Sequence, residues 1–556
     1  MIDRRHFIRS TAGLAAMLGL PMPAWAQGMS SARKGWDALS GEDINLSIGE
    51  AHFAAGSRSG HAIAVNGTIP GPLIRLREGQ NVRLHVTNNL AEDSSIHWHG
   101  LLLPFQYDGV PGVSFPGIRP GETFTYQFPI RQAGTYWWHS HSGLQEQIGH
   151  YGPLVIDPAH DHGPAFGREH VLLLSEFTPR HPHEIMRLLM RGEHHFNYQM
   201  PTVGDGSMSQ ADRLMWARMR MNPRDILDVT GAEYSYLING HAPEDGLELP
   251  FRAGEKVRLR IINGSAMTFF NLRIPGCEMV VVQADGQDVA PVPVDEFQIG
   301  VAETYDVIVT PGDGAFGIVA ESMDRSGMAF ATLTSHAGHK ATPPPLRDPV
   351  TLTMADMGMG AMDHAQHGGE AMDHSMRDPA VLPPSVDLNA GVDMVAPMPV
   401  DRMGFPGLGL DTVDHRVLRY TDLKAATTHP SRPPERALEI HLTGNMERYM
   451  WSFDGRQFHA VTDQPIRFAL NERVRVTLVN DTMMAHPIHL HGHFFELVNG
   501  ASASQQPLKH TLVVQPGSKA TFDLTASEPG DWAFHCHMLY HMHGGMMQVV
   551  TVRPLA

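Results

Sequence analysis

The chain has 556 residues, 42% hydrophobic and 18% charged, enough apolar material for several packed domains and incompatible with disorder throughout. Its net charge of −17, with histidine neutral, argues against nucleic acid or an anionic membrane surface as partner and suits cations better. Two cysteines, Cys277 and Cys536, neither in a CxxC pair, give no disulfide framework and no structural-zinc or thioredoxin signature, whereas 35 His and 32 Met form a surplus of donors that bind copper.

The first segment reads as an address. Arg4 and Arg5 in DRRHFIR precede a short, weakly apolar run from Ser10 to about Leu20, and Ala24, Trp25 and Ala26 make a small-residue end. This is the pattern of a twin-arginine export signal, residues 1–26, cleaved after Ala26, and it predicts a periplasmic product. An amphipathic first helix fits less well, because the apolar stretch is short and meets Pro21 and Pro23. No later run reaches the roughly 18 apolar residues of a spanning helix, so no membrane span is expected.

Three related β units follow. Val82-Arg-Leu-His-Val-Thr-Asn88 recurs as Val257-Arg-Leu-Arg-Ile-Ile-Asn263 and as Val474-Arg-Val-Thr-Leu-Val-Asn480, each alternating as a strand does. Upstream of each stands a turn: Asn66-Gly67, Asn239-Gly240, Asp454-Gly455. A second echo relates Gly134-Thr-Tyr-Trp-Trp-His139 to Gly530-Asp-Trp-Ala-Phe-His535 and, more faintly, to Gly312–Gly317. The expected fold is all-β, three Greek-key β-sandwich domains at 44–160, 165–340 and 431–556, joined by a Met- and His-rich linker, 341–430. Met186, Met190, Met215 and Met219 fall at helical spacings, which predicts helices inserted in the second domain, their methionines mostly packed in the core.

The repeats also locate candidate metal ligands. Nine and eleven residues beyond the closing asparagine stand His97 and His99 in the first unit, His489 and His491 in the third, but Leu272 and Ile274 in the second. Five and seven beyond the glycine of the second echo stand His139 and His141, His535 and His537, but Gly317 and Val319 in the middle unit. Alternate residues of a strand face the same way, so each His-x-His aims two imidazoles at one point, and four pairs can converge between the end domains. Histidines kept by duplication as ordinary core or surface residues are the alternative; they leave the apolar residues and glycine of the middle copy unexplained.

Cys536, between His535 and His537, must face the other side of its strand. Available there are His486, His541 and Met546, which with the thiolate make the donor set of a blue-copper electron-transfer centre with a weak axial sulfur. The matching residue in the first domain is Ser140, so only the third domain is expected to carry that centre. Cys277 reads as a small hydrophobe.

His97-Trp-His-Gly, His139-Ser-His, His486-Pro-Ile-His-Leu-His and His535-Cys-His-x3-His541-x4-Met546 resemble the four signature motifs of the three-domain multicopper oxidases, relatives of laccase. The resemblance implies cupredoxin-like domains and four copper ions. His486, Cys536, His541 and Met546 would hold the type 1 ion, and His97 and His489 the type 2 ion. The type 3 pair would take His99, His139 and His537 on one ion, His141, His491 and His535 on the other. Within the family the chain most resembles the periplasmic copper-resistance oxidases, through its export signal, Ser140–Gln147, Asn445–Trp451 and the tract MADMGMGAMDHAQHGGEAMDHSM at 354–376. That tract reads as a collector of extra copper or as a linker of biased composition.

The implied reaction passes electrons from a donor, through type 1 copper and Cys536, to dioxygen among the other three ions, giving water. Asp108 matches an acid near that centre in relatives and is expected to have a proton or electrostatic role; a plain Asp-Gly turn is the other reading. Met542 replaces a carboxylate that helps carry protons in some relatives, so proton delivery is expected by another route. The axial Met546 should keep the type 1 potential modest. Cu(I) is the expected donor, favoured by the tract, by Met483 and Met484 and by the acidic charge, with Glu447, Met446 and Met450 as candidates to line its access. Small phenolic donors and simple copper sequestration remain open, as do other periplasmic copper-handling proteins as partners.

Overall fold

A computed structural model describes residues 30–160, 163–192, 195–201, 209–219, 222–353, 356, 382–458 and 464–554. The expected export signal and, apart from Asp356, the tract 354–376 lie outside the described residues.

The sequence repeat forms the same strand three times. Asn81–Asn88, Val257–Asn263 and Arg473–Asn480 each run parallel to an earlier strand of their unit, Asp43–Ala55, Arg168–Phe177 and Arg436–Asn445. Each pairs on its other edge, antiparallel, with Thr123–Pro129, Thr304–Val309 and Ser518–Thr525. In Asn81–Asn88 alternate side chains are buried, as a sheet with one face on a core requires. In every unit this larger sheet is accompanied by a five-stranded one, giving three cupredoxin-like β-sandwiches. The predicted hairpin turns hold: Asn66-Gly67, Asn239-Gly240 and Asp454-Gly455 all have positive φ at both positions, the twist that two-residue hairpins demand.

The closing asparagines have a common task. Asn88 Nδ2 donates to the carbonyls of Glu92 and Ile118, Asn263 Nδ2 to those of Thr268 and Ile299, and Asn480 Nδ2 to those of Met484 and Val514. Their amide oxygens accept from the backbone two residues on, at Leu90, Ser265 and Thr482. One buried side chain thus satisfies the loop that carries the chain from the large sheet to the small one, where the candidate ligands begin.

The cores of the second and third domains are continuous and take in Leu73, Trp137, Leu144, Tyr151 and Val155 of the first, most of whose core forms a separate cluster. Among the described residues two α-helices lie in the second domain, Pro182–Leu189 and Gln210–Met219. Met186 packs partly against the core, but Met190 is 57% exposed at the helix C-terminus, so core packing does not account for it. Cys277 is half-buried against the same core.

The linker is more built than its composition suggests. Val400–Asp401 adds in parallel to Ser518–Thr525 of the third domain, and Val417 and Ala425 bridge to Glu296 and Val289 of the second. Met394, Met403, Leu408, Leu418 and Leu423 are buried along it. Isolated apolar residues in an irregular chain leave no periodicity to read, yet each joins the core that the second and third domains share. Among the described residues no helix is long and apolar enough to cross a membrane.

Asn263→Ala strands two buried carbonyls and a buried N–H in the domain that lacks candidate ligands. The expected loss is about 1–3 kcal/mol, read as a lowered thermal midpoint; an unchanged midpoint would reject this role for the asparagine.

Candidate metal centre

Strand register brings the His-x-His pairs together. In the first domain His97–His99 lies antiparallel to Gly134–His139 with His97 opposite His139 and Trp98 opposite Trp138. In the third, His486–Leu490 lies antiparallel to Gly530–Cys536 with His489 opposite His535. Trp98 and Trp138 point the other way, into the core of the first domain, so one strand face makes core and the other offers imidazoles. Across the domain boundary the rings of His97 and His491 stack at 3.8 Å, and those of His99 and His489 at 3.9 Å. His139 and His537 approach to 4.9 Å and His141 and His535 to 5.2 Å. All eight predicted histidines therefore meet in one cluster; seven are buried and His141 is partly exposed. Within it, ring nitrogens of His97, His99 and His139, of His97, His489 and His491, and of His141, His491 and His535 lie within 4.8 Å of one another.

Most of these rings are held by Nδ1. His97 Nδ1 donates to the Asp108 carbonyl at 2.7 Å, His489 Nδ1 to that of His510 at 2.7 Å, and His535 Nδ1 to that of Cys536 at 2.9 Å. His491 Nδ1 lies 2.8 Å from Asp108 Oδ2, and His139 Nδ1 2.8 Å from Glu146 Oε2. A carbonyl can only accept, so His97, His489 and His535 carry their proton on Nδ1 and keep a lone pair on Nε2. Nε2 of His97, His99, His139, His141, His489 and His537 is buried and unpartnered among the described residues. Burial first, then the neighbouring imidazoles, holds His99, His139, His141, His489, His491 and His537 well below the usual histidine range, and burial pushes His535 down to about 4. Neutral rings with free nitrogens converging on one volume are the ligand form of histidine.

Asp108 is buried and serves two rings at once: its carbonyl and its Oδ1, at 3.3 Å, face His97 Nδ1, while its Oδ2 faces His491. An Asp-Gly turn by itself requires neither the burial nor the two imidazole contacts.

Cys536 faces the opposite side, as alternation requires. Its Sγ lies 3.6 Å from His486 Nδ1 and 3.8 Å from His541 Nδ1, and those two nitrogens are 3.1 Å apart. Separations of about 3–4 Å are what bonds of about 2.0–2.3 Å to one shared ion produce. Here the far nitrogens are anchored: His486 Nε2 at 2.7 Å from Thr482 Oγ1, His541 Nε2 at 2.8 Å from Asp228 Oδ2. Trp451 stacks on His541 at 3.9 Å. Met546 is buried, its carbonyl accepts from Cys536 N at 3.1 Å, and its N donates to His541 O. Burial pushes the Cys536 thiol far up, so its thiolate needs a cation beside it. Both donor sets fit copper.

The mirrored place in the first domain is filled differently. Ser140 Oγ donates to Gln145 Oε1 at 2.9 Å, which also accepts from Ser94 Oγ at 2.8 Å, beside a buried His150. In the middle domain Leu272 lies opposite Ala320, three residues on from the Gly317 that the echo suggested. Neither residue can ligate. Sequence reasoning missed the anchors Glu146, Asp228, Thr482 and Trp451. Glu146 and Trp451 lie within quoted segments, but Asp228 belongs to an irregular stretch of the ligand-free domain and gave no signal. Of the residues considered for access to the type 1 site, Met446, Met483 and Met484 are buried, Met450 is half-buried and Glu447 is exposed.

Residues 48–161, 169–338 and 431–556 each match a family model described as multicopper oxidase. The chain belongs to the multicopper oxidase family and is a copper-dependent oxidoreductase. It is 44% identical to "Copper resistance protein A" of Pseudomonas syringae pv. tomato, and also 44% identical to that of Escherichia coli, covering 99% of both chains in each case. The laccase from Botrytis aclada shares the fold with a TM-score of 0.63 at 22% identity, over 95% of this chain and 89% of that one.

Asp108→Ala removes the carboxylate that holds His491. Copper retention between the end domains should weaken about 10- to 100-fold while the thiolate–copper absorption persists, measured by metal analysis after dialysis against a chelator; parent-like retention would refute the assignment.

Proposed function

We propose that this chain is a periplasmic multicopper oxidase of copper resistance, exported by the twin-arginine pathway, that couples one-electron oxidation of a donor to four-electron reduction of dioxygen to water. The observation that carries it is the tripeptide His535–Cys536–His537, whose thiol belongs to one donor set and whose imidazoles belong to another. His486, Cys536, His541 and Met546 would hold the type 1 copper, and His97 and His489 the type 2 ion. His99, His139 and His537, with His141, His491 and His535, would hold the type 3 pair. When bound, the four ions supply the redox chemistry, accepting electrons singly and delivering four to dioxygen.

The protein's part is to hold and connect. The sulfur of Cys536 and its two flanking peptide units form a short covalent connection between the donor sets. Asp108 and Glu146 fix imidazole orientation, and Asp108 has the proton or electrostatic role at the cluster. The segments that match the family, 48–161, 169–338 and 431–556, support domains at 44–160, 165–340 and 431–556. Similarity to copper resistance proteins along the whole chain supports the copper-resistance role, and the arginine pair at Arg4 and Arg5 supports the export route.

Cu(I) is the donor this reading favours. The tract 354–376 offers six Met and three His among acids, soft donors for Cu(I) and a place for extra copper beyond the four ions. A laccase acting on phenols, or a protein that protects by sequestration, would differ in what drives oxygen uptake.

Cys536→Ser, reconstituted with copper, should lose its blue absorption and oxygen consumption together; parent-like turnover would overturn the proposal. In the parent, Cu(I) should drive oxygen consumption faster than a phenol does, and deletion of 354–376 should slow Cu(I) turnover while leaving the blue colour. Uptake with phenol alone would favour a laccase, no uptake with either would favour sequestration, and unchanged Cu(I) kinetics in the deletion would leave the tract a spacer.

A further inference from the structure

Residues 445–451 fold around one ligand of the Cys536 site. The strand Arg436–Asn445 ends in a single 3-10 turn, Met446–Arg448, and the chain returns antiparallel beside it as Met450–Phe453. Tyr449 makes the reversal with a φ of 51°, a left-handed backbone that bulky residues rarely adopt. Three hydrogen bonds hold it there: Asn445 Oδ1 accepts from Arg448 N at 3.1 Å, Asn445 Nδ2 donates to the Ala390 carbonyl at 2.8 Å, and Tyr449 N donates to that of Met446 at 3.1 Å. The result is two buried rings against His541. Trp451 stacks on it at 3.9 Å, and Tyr449 stands edge-on to it at 6.0 Å and perpendicular to Trp451 at 5.8 Å.

The phenol does more than pack. Tyr449 Oη donates to Asp228 Oδ2 at 2.8 Å, the same oxygen that lies 2.8 Å from His541 Nε2. Asp228 is 1% exposed, its Oδ1 has no partner, and no Lys or Arg pairs with it among the described residues. A buried carboxylate with so few donors interacts strongly with each of them, and what the phenol takes up is withheld from the imidazole. The sign follows from the chemistry of the ring. A carboxylate behind one nitrogen makes the other a stronger electron-pair donor, and a stronger donor favours copper(II) over copper(I). Tyr449 moderates that push. The other ring of the site, His486, has only the neutral Thr482 hydroxyl behind its Nε2, so a charge acting through a ligand's hydrogen bond reaches this site by way of His541.

We propose that Tyr449 is a positioning residue of the type 1 copper, whose hydroxyl shares Asp228 Oδ2 with His541 and so makes the ion easier for its donor to reduce. This rests on the type 1 site of the proposed function. The readout is the ratio of reduced to oxidised type 1 ion at a fixed solution potential, followed by the blue absorption of the copper-loaded full chain. In Tyr449→Phe that ratio should fall about 3- to 10-fold with the blue band retained. Asp228→Asn keeps an oxygen acceptor but removes the charge, and the ratio should rise. Monofluorotyrosine installed at position 449, nearly the same size and a stronger hydrogen-bond donor, should raise it as well. A Tyr449→Phe ratio equal to the parent's would overturn the proposal, as would shifts of the same sign in Tyr449→Phe and Asp228→Asn. No rise with the fluorinated ring would overturn it even where Tyr449→Phe does not fold. A parent that takes up copper without a thiolate–copper absorption would overturn the underlying type 1 reading instead.

Discussion

Adjacent residues in a strand face opposite ways, and at His535, Cys536 and His537 that rule sets the layout of the whole molecule. It sends two imidazoles to the boundary with the first domain and one sulfur into the third domain, two donor sets separated by peptide units alone. Everything else serves to complete those sets. The register with His486–Leu490 supplies His489 and His491 on one side and His486 on the other, and the short helix Leu539–His543 returns His541 to the sulfur.

The two sites use imidazole in opposite senses. At the eight-histidine cluster Nδ1 is mostly tied to carbonyls or carboxylates and Nε2 is free, whereas at the Cys536 site Nε2 is tied to Thr482 and Asp228 and Nδ1 faces the sulfur. In both, an oxygen behind the ring fixes tautomer and direction before any ion is present. Gathering so many buried, neutral imidazoles is unfavourable for the apoprotein, because their free nitrogens lose water and gain nothing in return. The fold tolerates this because the rings stand on strands whose other faces are packed core.

The middle domain acts as a clamp. Its Arg260 donates to Thr135 Oγ1 beside the first domain's ligand strand, its Asp285 holds the backbone at His510 and Thr511, and its Asp228 binds His541. Carrying none of the candidate ligands, that domain supplies buried charges to the end domains instead.

Much of this was legible in the residues themselves. Strand repeats closed by asparagine, two-residue turns and matched His-x-His pairs pointed to three sandwiches and eight candidate ligands, and the cysteine between His535 and His537 pointed to four more, because strand period and ligand spacing are local properties of the chain. The second echo misplaced the middle domain by three residues, since glycine alone does not fix a register. The packing of 382–430 across two domains also gave no periodic signal, and Met190, at a helical spacing suited to a core, turned out exposed.

The sequence by itself determined which side chains can ligate and which way each must face relative to its neighbours, since alternation along a strand needs no partner. Only the tertiary structure decided what stands behind each ring. Glu146, Asp228 and Asp285 are ordinary acids in the sequence, and they become anchors because folding buries them, in the case of Asp228 and Asp285 against a domain hundreds of residues away.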